Sequence, residues 1–142
     1  MQSKEKNNLI FIRLFPNENI YHELEQVCQK HKVGTAVILS GVGQLKQSEL
    51  GYFKGKGDYC PEKFEKPHEL LSLTGNISKQ DGKYNFHLHA VLGNKEKSVV
   101  GGHLIRGIVE VTNEIVLLKT SLKFKRKLEE STGLQGMYLE GG

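Results

Sequence analysis

The sequence predicts an α+β fold, a mainly antiparallel β-sheet with one prominent helix near the N-terminus. Three observations carry this. Segments rich in β-branched and aromatic residues recur from Thr35 onward. The connections between them are of hairpin length, whereas parallel strands need crossovers of a dozen residues or more. Only one segment shows helical periodicity.

Leu9 to Phe15 is β-rich and stops at Pro16, so it reads as the first strand. Asn17 or Asn19 can cap the helix that follows. Ile20, Leu24, Val27, Cys28 and His31 share one face at spacings of three and four. Lys30, His31 and Lys32 suit its negative end, and Gly34 is a natural stop. Thr35 to Ser40 reads as a buried strand that Gly41-Val42-Gly43 breaks or bulges. Ser48 to Lys54 is the next strand, and Gly55 to Asp58 and Pro61 to Pro67 read as loops. Glu69 to Ser78 is a strand interrupted by Gly75, and Gln80-Asp81-Gly82-Lys83 is a hairpin turn. Tyr84 to Leu92, Val99 to Ile105 and Gly107 to Lys119 follow as strands, and Ser121 to Lys127 is a further strand candidate. The chain is expected to form a single domain over 1–142, with its core at about 8–127. The glycine-containing tail from Glu129 is expected to be loosely held.

Composition narrows the function classes. Hydrophobic residues make up 37% and charged residues 25%, as in a folded globular chain. Lys and Arg number 20 against 16 Asp and Glu, a net charge of +4 that permits nucleic-acid binding without demanding it. Cys28 and Cys60 cannot form a disulfide framework, and no Cys-x-x-Cys offers a thiolate zinc site. The N-terminal segment is polar, and its apolar run is too short for a signal peptide or a membrane span. A cytoplasmic location with no membrane partner is the expectation. There is no Gly-x-Ser-x-Gly, Walker loop, dinucleotide fingerprint or helix-turn-helix pattern.

The sharpest chemical feature is His87-Leu88-His89 with His103 beyond it. On a strand, His87 and His89 point to one face, about 6.5–7 Å apart along the backbone. A hairpin at Asn94 to Lys97 returns the chain alongside. Counted from a turn centre near Lys95, His103 falls opposite His87. Three neutral imidazoles on one face make a metal site. Zinc is the first expectation among divalent ions, with a fourth position left for water or a ligand. Glu114 is a candidate general base for a metal-bound water, with a salt-bridged carboxylate as the alternative. Lys123, Lys125, Arg126 and Lys127 form the densest basic run. They are the candidate DNA contacts, with an edge-protecting lysine strand as the alternative.

Three ordered motifs carry a resemblance: Glu69 to Ile77, His87-Leu88-His89-Ala90 and Gly101-Gly102-His103-Leu104. Together they resemble the domain called plants and prokaryotes conserved, or PPC, in its stand-alone prokaryotic form. The resemblance covers Asn8 to about Lys127. It implies a mainly antiparallel sheet with one helix, a homotrimer, and metal binding at His87, His89 and His103. It also implies an association with DNA, through plant relatives that carry AT-hook motifs. No Arg-Gly-Arg core of that kind occurs here, and Ile105-Arg106-Gly107-Ile108 lacks the second arginine. The plant segment Gly-Arg-Phe-Glu-Ile-Leu appears as Lys66-Pro67-His68-Glu69-Leu70-Leu71, matching in its second half alone. DNA binding by this chain is therefore expected to be weak, non-specific and salt-sensitive. Three functions stay open: a DNA-associated regulator with a three-histidine metal site, a zinc enzyme or metal-held small-ligand binder, and a trimeric interaction module with a structural metal.

Overall fold

The computed structural model describes Met1 to Leu139. Most of the described residues lie in strands, beside one short helix. In order the elements are β1 (Gln2–Lys6), β2 (Leu9–Leu14), α1 (Ile20–Lys30), β3 (Thr35–Gly51), β4 (Glu62–Phe64), β5 (His68–Gln80), β6 (Lys83–Gly93), β7 (Val99–Thr120), β8 (Phe124–Leu128) and β9 (Gln135–Leu139). All strand pairs are antiparallel.

The helix is set by its caps. Asn19, not Asn17, accepts hydrogen bonds from the N–H groups of Tyr21 and His22. Such a cap stabilises a helix by about 1 kcal/mol. At the other end His31 is the C-cap. Val33 N–H donates to the Cys28 carbonyl and Lys32 N–H to that of Gln29, the double bond of a Schellman ending. The left-handed position in that ending falls on Lys32 rather than Gly34. Ile20, Leu24, Val27 and Cys28 are buried, and each large apolar side chain so buried contributes about 1.5–3 kcal/mol. The face packs on β7 and β2.

The main sheet runs β1-β2-β7-β6-β5-β3-β4, and β7 also pairs with β3. Strands β3, β5, β6 and β7 therefore close a circuit. Its inner positions, among them Leu45, Leu50, Leu70, Leu73, Ile77, Leu88, Leu92 and Leu104, are buried and form the core. The two pieces expected either side of Arg106 are one continuous strand, β7. Those either side of Gly41-Val42-Gly43 are likewise one strand, β3, which pairs in register with β7 through all three residues and takes its register shifts on either side of them. Three strands go beyond the sequence expectation: β1, on the polar N-terminal segment, β4, within the Pro61 to Pro67 loop, and β9, on the tail. Where a loosely held tail was expected, Gln135–Leu139 pairs with β8 as a small ribbon. Among the described residues, no helix is long and apolar enough to cross a membrane.

Candidate metal centre

Strand alternation builds the site. On β6, Leu88, Ala90 and Leu92 face the core, while His87 and His89 face outward. Gly75 on β5 fixes the height of this stretch, because a Cβ there would lie 2.0 Å from the His87 carbonyl oxygen. Its φ of +146° is also one that side-chain-bearing residues rarely adopt. The β6–β7 ladder ends at the pair His89–His103. His87 lies one step beyond it, opposite Asn76 of β5. From there β7 leaves β6, and Tyr21 of α1 packs edge-on against Phe86, donating its hydroxyl to the Leu104 carbonyl.

This register corrects the sequence expectation. His103 faces His89, not His87, because Gly93 pairs with Val99 and the turn centre is Glu96 rather than Lys95. Moving the centre by one residue moves the partner by two, which preserves the face. Gly102, the residue before His103, serves the close packing of the sheet. A Cβ on Gly102 would lie 2.8 Å from the Gly51 carbonyl oxygen, so this glycine admits the β3 backbone.

The three rings converge. Their centroids stand 5.1, 5.5 and 5.6 Å apart. One nitrogen from each lies within 4.8 Å of the others, and the Nε2 atoms of His87 and His89 are 3.2 Å apart. Nitrogens sharing a tetrahedral ion at about 2.0–2.1 Å stand about 3.3 Å apart, so one pair is already at that spacing. His103 Nδ1 is buried with no hydrogen-bond partner. Leaving such an atom unpaired costs about 1–3 kcal/mol. A site of three imidazoles, one with an unpartnered nitrogen, fits a borderline-soft divalent ion such as zinc. Burial, followed by the neighbouring rings, holds His87 and His103 below the ordinary histidine pKa, and Arg126 adds to the effect at His87. Both shifts favour the neutral form that ligates.

His87 and His103 border a cavity of about 880 Å³ whose wall includes Tyr59, Phe86, Ile105, Arg126 and Met137. The Tyr59 ring stands edge-on to His103 at 5.3 Å. Neither Tyr59 nor the inward turn of Arg126 was identified from sequence. The first sits in an irregular loop, and the second is masked by the lysines around it. Lys125 and Lys127 are exposed on β8, Lys123 is exposed just before it, and Arg126 is half-buried. Glu114 is elsewhere. It faces Arg13 and Val42, eleven positions past His103 on β7, about 36 Å along an extended strand.

The model of the Plants and Prokaryotes Conserved (PCC) domain matches residues 1–121. The chain belongs to that family. Solved relatives of the PCC fold superpose closely. A metal-containing protein of Archaeoglobus fulgidus is 29% identical with a TM-score of 0.83, covering 96% of each chain. A plant- and prokaryote-conserved protein of Pyrococcus horikoshii is 31% identical with a TM-score of 0.80, over 95% of this chain and 93% of that one. A protein of Bacteroides thetaiotaomicron, provisionally named as DNA-binding, is 26% identical with a TM-score of 0.91, over 98% and 97%. Among curated proteins, the bifunctional protein GlmU of a Synechococcus strain is 30% identical over 131 residues, 91% of this chain. The chain spans only 20% of that relative's length.

Proposed function

We propose that this PCC-family protein is a metal-dependent binder of a small ligand. His87, His89 and His103 hold one divalent ion, zinc first, and leave its fourth position to water or ligand. The observation that carries this is three ring nitrogens within 4.8 Å of one another, two of their rings bordering a cavity of about 880 Å³. A cavity that reaches the rings favours a ligand-holding ion over a closed structural one. Zinc in such a position can polarise a carbonyl or lower the pKa of bound water to about 7, so a hydrolytic or lyase activity is the enzymatic form of the same reading. The metal-containing relative of Archaeoglobus fulgidus supports it. The test is elemental analysis of protein purified without chelator or added metal. One equivalent of a divalent metal per chain supports the reading, and none after supplementation overturns it.

A second reading, a DNA-associated regulator, is favoured by the provisional name of the Bacteroides neighbour and by exposed Lys123, Lys125 and Lys127. Binding that is weak and falls steeply with salt fits this chain, whereas sequence-specific nanomolar binding in raised salt requires an element not described above. The working form under either reading is a homotrimer in the cytoplasm. Phe11, Val37, Leu39, Val42 and Val111 are exposed on β2, β3 and β7, and a subunit contact would cover them. A light-scattering mass of one subunit across concentrations contradicts the trimer.

A further inference from the structure

We propose that Arg126 makes the cavity beside the three histidines a receptor for the carboxylate of a small, partly apolar organic acid. This rests on the reading of that cavity as ligand-holding. Alternation on β8 buries Phe124 and turns Arg126 inward, while Lys125 and Lys127 face out. The guanidinium is aimed by two acceptors: Nη2 donates to Asn76 Oδ1, and Nη1 donates to the Gln135 carbonyl at 3.1 Å. The Arg126 backbone N–H donates to Gln80 Oε1 at 2.9 Å, which ties β8 to the end of β5. Asn76 is the cross-strand partner of His87, so the same residue pair joins the guanidinium to the histidine centre.

Both of those acceptors are neutral. Among the described residues no carboxylate forms an ion pair with Arg126. Glu49 and Glu129 also line the cavity, but the Glu129 carboxylate lies against Gly136. A half-buried cation without a counter-charge is costly, and an incoming carboxylate supplies one through two parallel N–H···O bonds. The remaining wall sets the rest of the ligand. Phe86, Ile105, Leu134 and Met137 offer apolar surface, which a hydrocarbon body of a few carbons would cover. The volume lies within the range of small-molecule pockets.

The experiment is calorimetric titration of the full chain, zinc-loaded and metal-free, with hexanoate, hexanol and hexylamine in a carboxylate-free buffer. Zinc content is measured on every sample. Hexanoate is expected to bind at least about tenfold more tightly than hexanol, with hexylamine weakest, since the carboxylate alone forms charge-assisted bonds with the guanidinium. Arg126→Met should remove that preference while leaving hexanol binding and zinc content unchanged. Asn76→Asp keeps the arginine but gives it an internal carboxylate, and should weaken hexanoate by a similar factor. It decides the matter if Arg126→Met does not fold. Equal affinity for hexanoate and hexanol, or wild-type hexanoate affinity in the variants that fold, overturns the proposal. If no zinc is taken up, the metal reading fails by itself, and the metal-free titration still decides the role of Arg126.

Discussion

His31 and His103 are both sheltered histidines, and the structure treats them in opposite ways. His31 caps α1, and both of its ring nitrogens have partners: Nε2 meets Ser3 Oγ at 2.9 Å, and Nδ1 meets Glu5 Oε2 at 3.2 Å. Lys119 closes that cluster, donating at 2.8 Å both to Glu5 and to the His31 carbonyl. His103 stands instead among two other imidazoles and the Tyr59 ring, with Nδ1 buried and unpaired. A histidine used to hold elements together is saturated by oxygen groups. The histidine proposed as a ligand stands instead among other imidazoles, with its Nδ1 left unpaired.

The largest expected effect separates the two clusters outright. His89→Ala should weaken zinc binding by more than about hundredfold, because losing a group that merely supports a ligand already costs 10–100-fold. A competition titration against a chromophoric chelator reads this. The melting temperature of the metal-free protein should hardly move, since His89 is exposed. Equal zinc affinity in the variant would erase the distinction. His31→Ala should do the reverse. It removes one partner each of Ser3 and Glu5 and loosens β1 from the helix end, so calorimetric melting should fall by a few degrees with zinc binding intact.

A smaller effect lies in the pH dependence. His87 and His103 are held below the ordinary histidine pKa. As pH falls through about 6.5, the unfolded chain takes up protons at these positions before the folded one does. Metal-free protein should therefore lose stability on acidification from that point down to the lowered folded values. His103→Ala should flatten this part of the melting profile, and an unchanged slope would count against the burial described here. Zinc occupancy should fall in the same window, since protonation competes with ligation. The smallest effect is expected at Glu114. Glu114→Gln should leave zinc affinity unaltered in the chelator titration, because that carboxylate faces Arg13 far along β7.

The contrast also shows which features were legible in the sequence. The helix, the Gln80 to Lys83 turn and the shared face of His87 and His89 follow from periodicity and turn chemistry alone. The partner of His103 did not. The loop between β6 and β7 is closed by Asn94 and Ser98, with Lys97 at a φ of +69°, and no glycine marks that position. The predicted histidine cluster nevertheless assembles, because the face of a side chain depends on parity and the error was a two-residue slide. Strand β1 was hidden because Gln2–Lys6 has no apolar alternation. Its order comes from backbone pairing with β2 and from Ser3 and Glu5 reaching His31. In the sequence Arg126 is one of a row of cations. Only the pairing of β8 with β9, and the bonds to Asn76 and Gln80, turn it toward the histidines.

The most direct test of the central claim is X-ray absorption at the zinc edge on protein loaded with one equivalent of zinc, compared with the His89→Ala variant. The wild type should show three imidazole nitrogens at about 2.0–2.1 Å and one further light atom, and the variant one imidazole fewer. A first shell containing sulfur, or a shell that His89→Ala leaves unchanged, would contradict it.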